Sequence, residues 1–119
     1  MKQLSLIDLF PQQMGVTDYD IQTLPEDDMI RIVSEQTGLT FKETPNVIED
    51  NPYKWFESKR KKIRVEVHYS HYFEDNKRFI GVGIDCGNEG SGCPCDSIEE
   101  AVGRIRRGLE RYERTNINV

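Results

Sequence analysis

What this chain lacks narrows it first. No apolar run comes near the roughly 18 residues that a membrane-spanning helix requires, so no membrane partner is expected. A secretory leader is not expected either: the given N-terminal stretch offers one lysine and a short apolar run broken by Asp8, with no small-residue cleavage site. The expected location is the cytoplasm of a bacterial host cell. The lysine of the GxxxxGK[ST] phosphate loop is absent, and the Gly-rich stretch at 87–92 is followed by Asp96, Glu99 and Glu100, which repel a phosphate. Histidine occurs only at 68 and 71, and no nucleophile, base and orienting group fall into a complete catalytic pattern. There is no internal repeat and no low-complexity tract. The chain is accordingly read as a binding protein with no small-molecule substrate, not as an enzyme.

Positive charge is also in short supply overall. The net charge is −5, so sequence-independent binding to nucleic acid, which depends on neutralising phosphates, is not expected. The charge is uneven, however. Lys59, Arg60, Lys61, Lys62 and Arg64 form one basic block, and Arg104, Arg106, Arg107, Arg111 and Arg114 form another. Acidic residues gather at 18–28, 43–50 and 96–100. Such runs are ordinarily solvated faces; the sharper reading is a charged docking surface for a protein partner or a nucleic-acid complex.

What is present is one domain's worth of chain. A length of 119 residues can bury a core without help from a metal or a disulfide. Residues 1–22 read as an N-terminal arm and 23–119 as a single α+β domain. Thr23-Leu24-Pro25-Glu26 resembles a capped helix start, with Glu26 closing a capping box, Asp27 and Asp28 in the first turn, and Gly38 as the stop. Short strands are expected at 39–43 and 53–57, and the lone Trp55 is read as core or rim packing. The strongest β signal lies at 61–86. Ile63, Val65, Val67 and Tyr69 alternate with Arg64, Glu66 and His68, and Ile80, Val82 and Ile84 alternate with Gly81 and Gly83. The two runs predict a hairpin closed by Glu74–Lys77. Ser97-Ile98-Glu99-Glu100 is a capping box that opens the longest helix, whose apolar stripe is Ile98, Ala101, Val102, Ile105, Leu109 and Tyr112. Gly103 and Gly108 weaken that helix unless they permit close approach to the strands. The expected architecture is α+β: an antiparallel sheet built around a central hairpin, packed by a long C-terminal helix and a short N-terminal helix.

All three cysteines fall within residues 86–95, in a Gly-rich stretch read as a loop. The cytosol keeps thiols reduced, so a structural disulfide is not expected, and thiolates are strong zinc ligands. Cys86, Cys93 and Cys95 supply three of the four ligands a structural zinc needs, with His68 as the preferred fourth; His71, Asp85 and Asp96 are alternatives. The competing readings are free, partly buried cysteines, a thiol nucleophile at Cys93 or Cys95 paired with His68, and a redox pair.

Two resemblances bear on function. Gln3-Leu4-Ser5-Leu6-Ile7 is similar to the peptide with which replication proteins dock on the bacterial sliding clamp, with Ile7 where that motif carries an aromatic or leucine. The alternative is that Leu4, Leu6, Ile7, Leu9 and Phe10 pack on their own domain. The acidic single domain with a Gly-x-Gly strand, a cysteine-bearing segment and a Ser-Ile-Glu-Glu helix, over residues 53–112, resembles small proteins of phages and mobile elements, and among them the type II anti-CRISPR proteins. That resemblance implies a stoichiometric inhibitor of a CRISPR effector nuclease. Glu43, Glu49, Asp50, Glu89 and Glu99 are the candidate acidic docking residues for the basic channel of such a nuclease.

Overall fold

Alternation over one strand sets the layering of the whole molecule. The computed structural model describes residues 19–45, 52–87 and 89–117. In chain order the elements are α1 (Glu26–Thr37), β1 (Lys42–Thr44), β2 (Trp55–Arg60), β3 (Ile63–His71), β4 (Arg78–Cys86), β5 (Glu89–Cys95) and α2 (Ile98–Ile117). On β3, Ile63, Val65, Val67 and Tyr69 are buried, while the residues between them stay partly exposed. The pleat sends successive side chains to opposite faces, so one face must be covered. β3 pairs with β4 as the expected hairpin, with Val67 opposite Val82 and His68 opposite Gly81. The reversal at 72–77 is held by Tyr72 N–H to the Lys77 carbonyl and Asn76 N–H to the Tyr72 carbonyl. The strands form one antiparallel sheet in the order β1-β2-β3-β4-β5.

Both helices lie on the same face. α1 buries Met29, Ile30, Ile32 and Val33, and α2 buries the stripe Ile98, Ala101, Val102, Ile105, Leu109 and Tyr112. These meet Val65, Val67, Tyr69, Ile80, Val82 and Ile84 in a single core. The fold is therefore the expected α+β class. Gly108 allows α2 to approach β4 closely: a Cβ there would sit 2.3 Å from Ile84 Cδ1. At the start of α2, Ser97 Oγ accepts from Glu100 N–H at 3.1 Å, and Glu100 Oε1 accepts from Asp96 N–H at 2.8 Å. No helix among the described residues is long and apolar enough to cross a membrane.

Two local expectations are overturned. The capping box at Thr23–Glu26 does not form. α1 begins at Glu26 after Pro25 with no side-chain cap, and Thr23 Oγ1 donates to the Asp20 carbonyl. The Glu26 carboxylate accepts instead from Lys54 N–H at 2.9 Å and Tyr69 N–H at 3.0 Å. The reason lies in the register. Trp55 opposite His68 is the last rung of β2 against β3, so the next two backbone donors have no strand partner there, and a carboxylate satisfies both. The C-terminal signal does operate: Gly38 takes φ 75° and its N–H bonds to the Ser34 carbonyl.

The second correction concerns residues 86–97, expected as a loop. Most of that stretch is β5, reached through a tight turn in which Gly87 has φ 65°. Pro94 is tolerated because β5 is an edge strand: Pro94 pairs with Gly81 and has no N–H to leave unpaired on the outer side. The Asp85 carboxylate lies close over Gly90, where a Cβ would sit 2.1 Å from Oδ1 and displace it.

Residues 1–18 fall outside the described residues, and with them the Gln3–Ile7 peptide. Residues 19–22, read as the end of the arm, belong to the folded unit. Ile21 is buried in the core, and the Gln22 amide pairs with the Arg78 backbone as a strand would, donating to its carbonyl at 2.8 Å and accepting from its N–H at 2.9 Å.

Candidate functional site

The four residues expected to hold zinc are not brought together. Cys95 pairs with Ile80, Cys93 with Val82 and Glu89 with Cys86, so all three cysteines point to the covered face. Cys86 lies four positions along β4 from Val82, opposite Cys93, and six from Ile80, opposite Cys95, which at about 3.3 Å per residue sets it roughly 13 Å from Cys93 and roughly 20 Å from Cys95. His68 pairs with Gly81 and projects from the opposite face. The expected set assumes a loop that folds back; a paired strand fixes its side chains by alternation and cannot gather them. The alternative ligands are engaged elsewhere: Asp85 binds Arg64 at 2.7 Å, Asp96 accepts from Tyr72 Oη at 2.8 Å, and His71 packs edge-on against Tyr53. Among the described residues no three of His, Cys, Asp or Glu form a cluster suited to a metal.

The thiol readings fare no better. Cys95 has no exposed surface, and its thiol is pushed up to about 12, first by burial and then by neighbouring Cys93. A reactive cysteine needs the reverse, a stabilised thiolate. His68 stands on the far side of the sheet from both Cys93 and Cys95, so the Cys–His pair is not assembled.

The uncovered face carries the more organised feature. A single row crosses all five strands: Thr44, Trp55, His68, Gly81 and Pro94. Trp55 and His68 stack with ring centroids 4.0 Å apart and planes within 16°. Trp55 is thus a member of the open face and not of the core. Its Nε1 is buried without a hydrogen-bond partner among the described residues. His68 Nδ1 lies 3.0 Å from the Tyr69 carbonyl. A carbonyl only accepts, so Nδ1 is the donor in this contact. The Nε2 edge of the ring lies over Gly81, where a Cβ would be 2.7 Å from Nε2 and Cε1. Glycine at 81 is what lets the imidazole lie down.

Beside the stack is an open depression of about 370 Å³, walled by Trp55, His68, Phe79 and Pro94 and floored by Gly83 and Gly92. Arg64 borders this face, bonded to Asp85 and 3.8 Å from Glu57. The Asp85 hydrogen bond and the nearby carboxylates raise the Arg64 pKa further, so this cation is permanent. The acidic residues expected to form one docking face do not share a patch. Glu43 is on β1 and Glu89 on β5, at opposite edges of the sheet, Glu99 is on α2, and Glu49 and Asp50 lie outside the described residues.

The α2 arginines face water as expected at 106, 107, 111 and 114, which are exposed, whereas Arg104 is half-buried. Arg104, Arg107 and Arg111 line a pocket against β5, and Arg104 Nη2 donates to Ser91 Oγ at 3.1 Å. Their spacing of three and four residues was the available signal.

The fold and these surfaces define an α+β protein with one sheet face that no helix among the described residues covers. No family model matches the chain, and no curated protein and no solved structure matches it either.

Proposed function

We propose that this chain is a non-catalytic binding protein that takes a protein partner on the open face of its sheet, and that the partner is a type II CRISPR effector nuclease whose DNA loading or cleavage it blocks. The observation that carries the binding reading is the Trp55–His68 stack beside a glycine-floored apolar depression, on the face that neither helix covers. A tryptophan fixed by stacking, next to a shallow cavity and ringed by charge, has the make-up of an interface centre, where aromatic anchors supply most of the binding energy. Strand spacing and length give this face roughly 600 Å², less than the roughly 800 Å² per partner of a standard interface, so the sheet edges join the contact.

The partner's identity rests on the resemblance carried by residues 53–112. The net charge of −5 suits a protein that occupies the basic channel of such a nuclease. The zinc set is not carried into this reading, because its members stand on two faces of the sheet.

The experiment is cleavage of target DNA by a purified type II effector with its guide, titrated with this protein. Saturable inhibition near equal molarity, weakened by Trp55→Ala, is the expected outcome. Undiminished cleavage by several effectors would overturn the partner, and full inhibition by Trp55→Ala would overturn the face.

A further inference from the structure

The depression on the open face has a feature that its apolar walls do not account for. Glu66 is the one charged residue among those that line it. It stands on β3 between Arg64 and His68, on the same face as both, and pairs with Gly83. A Cβ at Gly83 would lie 3.4 Å from Glu66 Oε1, so the carboxylate lies out over the bare backbone of β4. Glu66 is partly buried there, and it takes neither a hydrogen bond nor an ion pair among the described residues.

The cations of this face are placed elsewhere. Arg64 bonds to Asp85 at 2.7 Å and lies 3.8 Å from Glu57, while Glu66 acts on it only through space. Three carboxylates thus share one guanidinium. Lys42 stands opposite Glu57 and Lys59 opposite Arg64, both exposed, and neither lines the depression. A carboxylate partly withdrawn from water, beside aromatic rings and with no bonded partner of its own, is costly until a cation completes it.

We infer that the depression receives an arginine side chain presented by the protein partner. Glu66 offers two carboxylate oxygens to a guanidinium fork. Trp55 and Phe79 offer rings against which a guanidinium stacks, and Phe79 is itself backed by Tyr72 with ring centroids 4.7 Å apart. The glycines at 83 and 92 leave room for a flat group to lie against the strands. A lysine brings the same charge, but its compact, strongly hydrated ammonium matches neither the fork nor the rings. A neutral apolar side chain would fill the walls and leave Glu66 shielded from water without a partner. The depression is open and continuous with the surrounding face, which suits a side chain carried on a protein surface; a free small molecule is ordinarily enclosed on most of its area. The assignment rests on the proposed function, since it names what that partner brings to the open face.

The test reads the emission of Trp55, the single tryptophan, in the full chain. The titrant is the blocked tripeptide acetyl-Gly-Arg-Gly-amide at constant ionic strength, with citrulline in place of arginine as the neutral isostere and lysine as the second cation. A saturable change is expected with the arginine peptide, at an affinity roughly tenfold or more above that of the citrulline peptide, and above that of the lysine peptide. Glu66→Gln keeps the length of the side chain and should abolish the preference for arginine over citrulline, with the thermal midpoint in place. Absent saturation, equal affinity for the citrulline or the lysine peptide, or undiminished binding of arginine by Glu66→Gln would each overturn the assignment. Effector cleavage separates this contact from the proposed function. Inhibition weakened by both Trp55→Ala and Glu66→Gln is expected. Glu66→Gln inhibiting like the parent, beside an impaired Trp55→Ala, would overturn the arginine contact and leave the open face standing.

Discussion

The two faces of the sheet are made by the same strands and differ in almost every other respect. On the covered face, Val67, Tyr69 and Ile80 have no exposed surface, and two helices seal them. On the open face the corresponding positions hold His68 and Phe79, partly exposed, and Gly81, buried beneath the imidazole, with glycines at 81, 83 and 92 where the covered face has branched side chains. The covered face is dense and tolerates little. The open face keeps a bare backbone under two stacked rings, an arrangement that adds little to stability. Folding rests on one side of this layer and the proposed binding on the other, and substitutions on each side should separate them.

The largest effect belongs to the covered face. Ile105→Ala removes a fully buried side chain at the centre of the α2 stripe and leaves a cavity that packed neighbours refill only in part. A loss of about 2–5 kcal/mol is expected, read as a lower denaturant midpoint with an unchanged slope. Next is Glu26→Gln. The carboxylate joins α1 to the ends of β2 and β3 through Lys54 N–H and Tyr69 N–H. An amide can keep only one good acceptor there, so about 1.5–3 kcal/mol should be lost. A change below about 0.5 kcal/mol on urea unfolding would mean that the N-terminal helix docks on hydrophobic contact alone.

Alkaline pH should also act through the covered face. Burial first, and Cys93 second, raise the Cys95 thiol from 9.0 to about 12. Tyr69 is raised from 10.0 to about 12, again chiefly by burial. In both cases the unfolded chain gives up its proton at lower pH than the folded one. The stability is therefore complete below about pH 9 and falls as pH rises toward 12, by up to about 1.4 kcal/mol per pH unit for each group. Cys95→Ala should flatten the part of that slope between pH 9 and 10, measured by urea unfolding at stepped pH. In native protein at pH 8, Cys95 should be the last of the three thiols to react with an aromatic disulfide.

Much of the covered face was legible because its signals are local. Ile63, Val65, Val67 and Tyr69 alternate over seven residues, and the Ser97–Glu100 cap is complete within four. The failures each needed information from far along the chain. The Thr23–Glu26 signature was present, but Glu26 is drawn to acceptor-seeking backbone N–H groups 28 and 43 residues away. β5 was hidden because glycine and proline are depleted in strands, and only its position at the sheet edge makes Gly-Ser-Gly-Cys-Pro-Cys acceptable there. That misreading produced the zinc set, since a loop can gather Cys86, Cys93 and Cys95 and a strand cannot. The Trp55–His68 stack depends on a register across three strands, which no single segment encodes.

The smallest expected change in stability tests the open face itself. In Gly81→Ala the new methyl would sit 2.7 Å from His68 Nε2 and Cε1, so the imidazole must leave its position over β4. Alanine is favoured over glycine in a strand by roughly 0.5–1 kcal/mol, and the lost stack costs about 0.5–1.5 kcal/mol. These nearly cancel, so unfolding should move by less than about 1 kcal/mol. Trp55 fluorescence should nevertheless change, because its stacking partner has moved, and inhibition of the effector nuclease should weaken at least tenfold. The combination matters more than either value. A variant that folds normally, shifts the single tryptophan's emission and still inhibits fully would leave the open face as mere surface. Unchanged emission would mean that the His68 ring was not resting on Gly81.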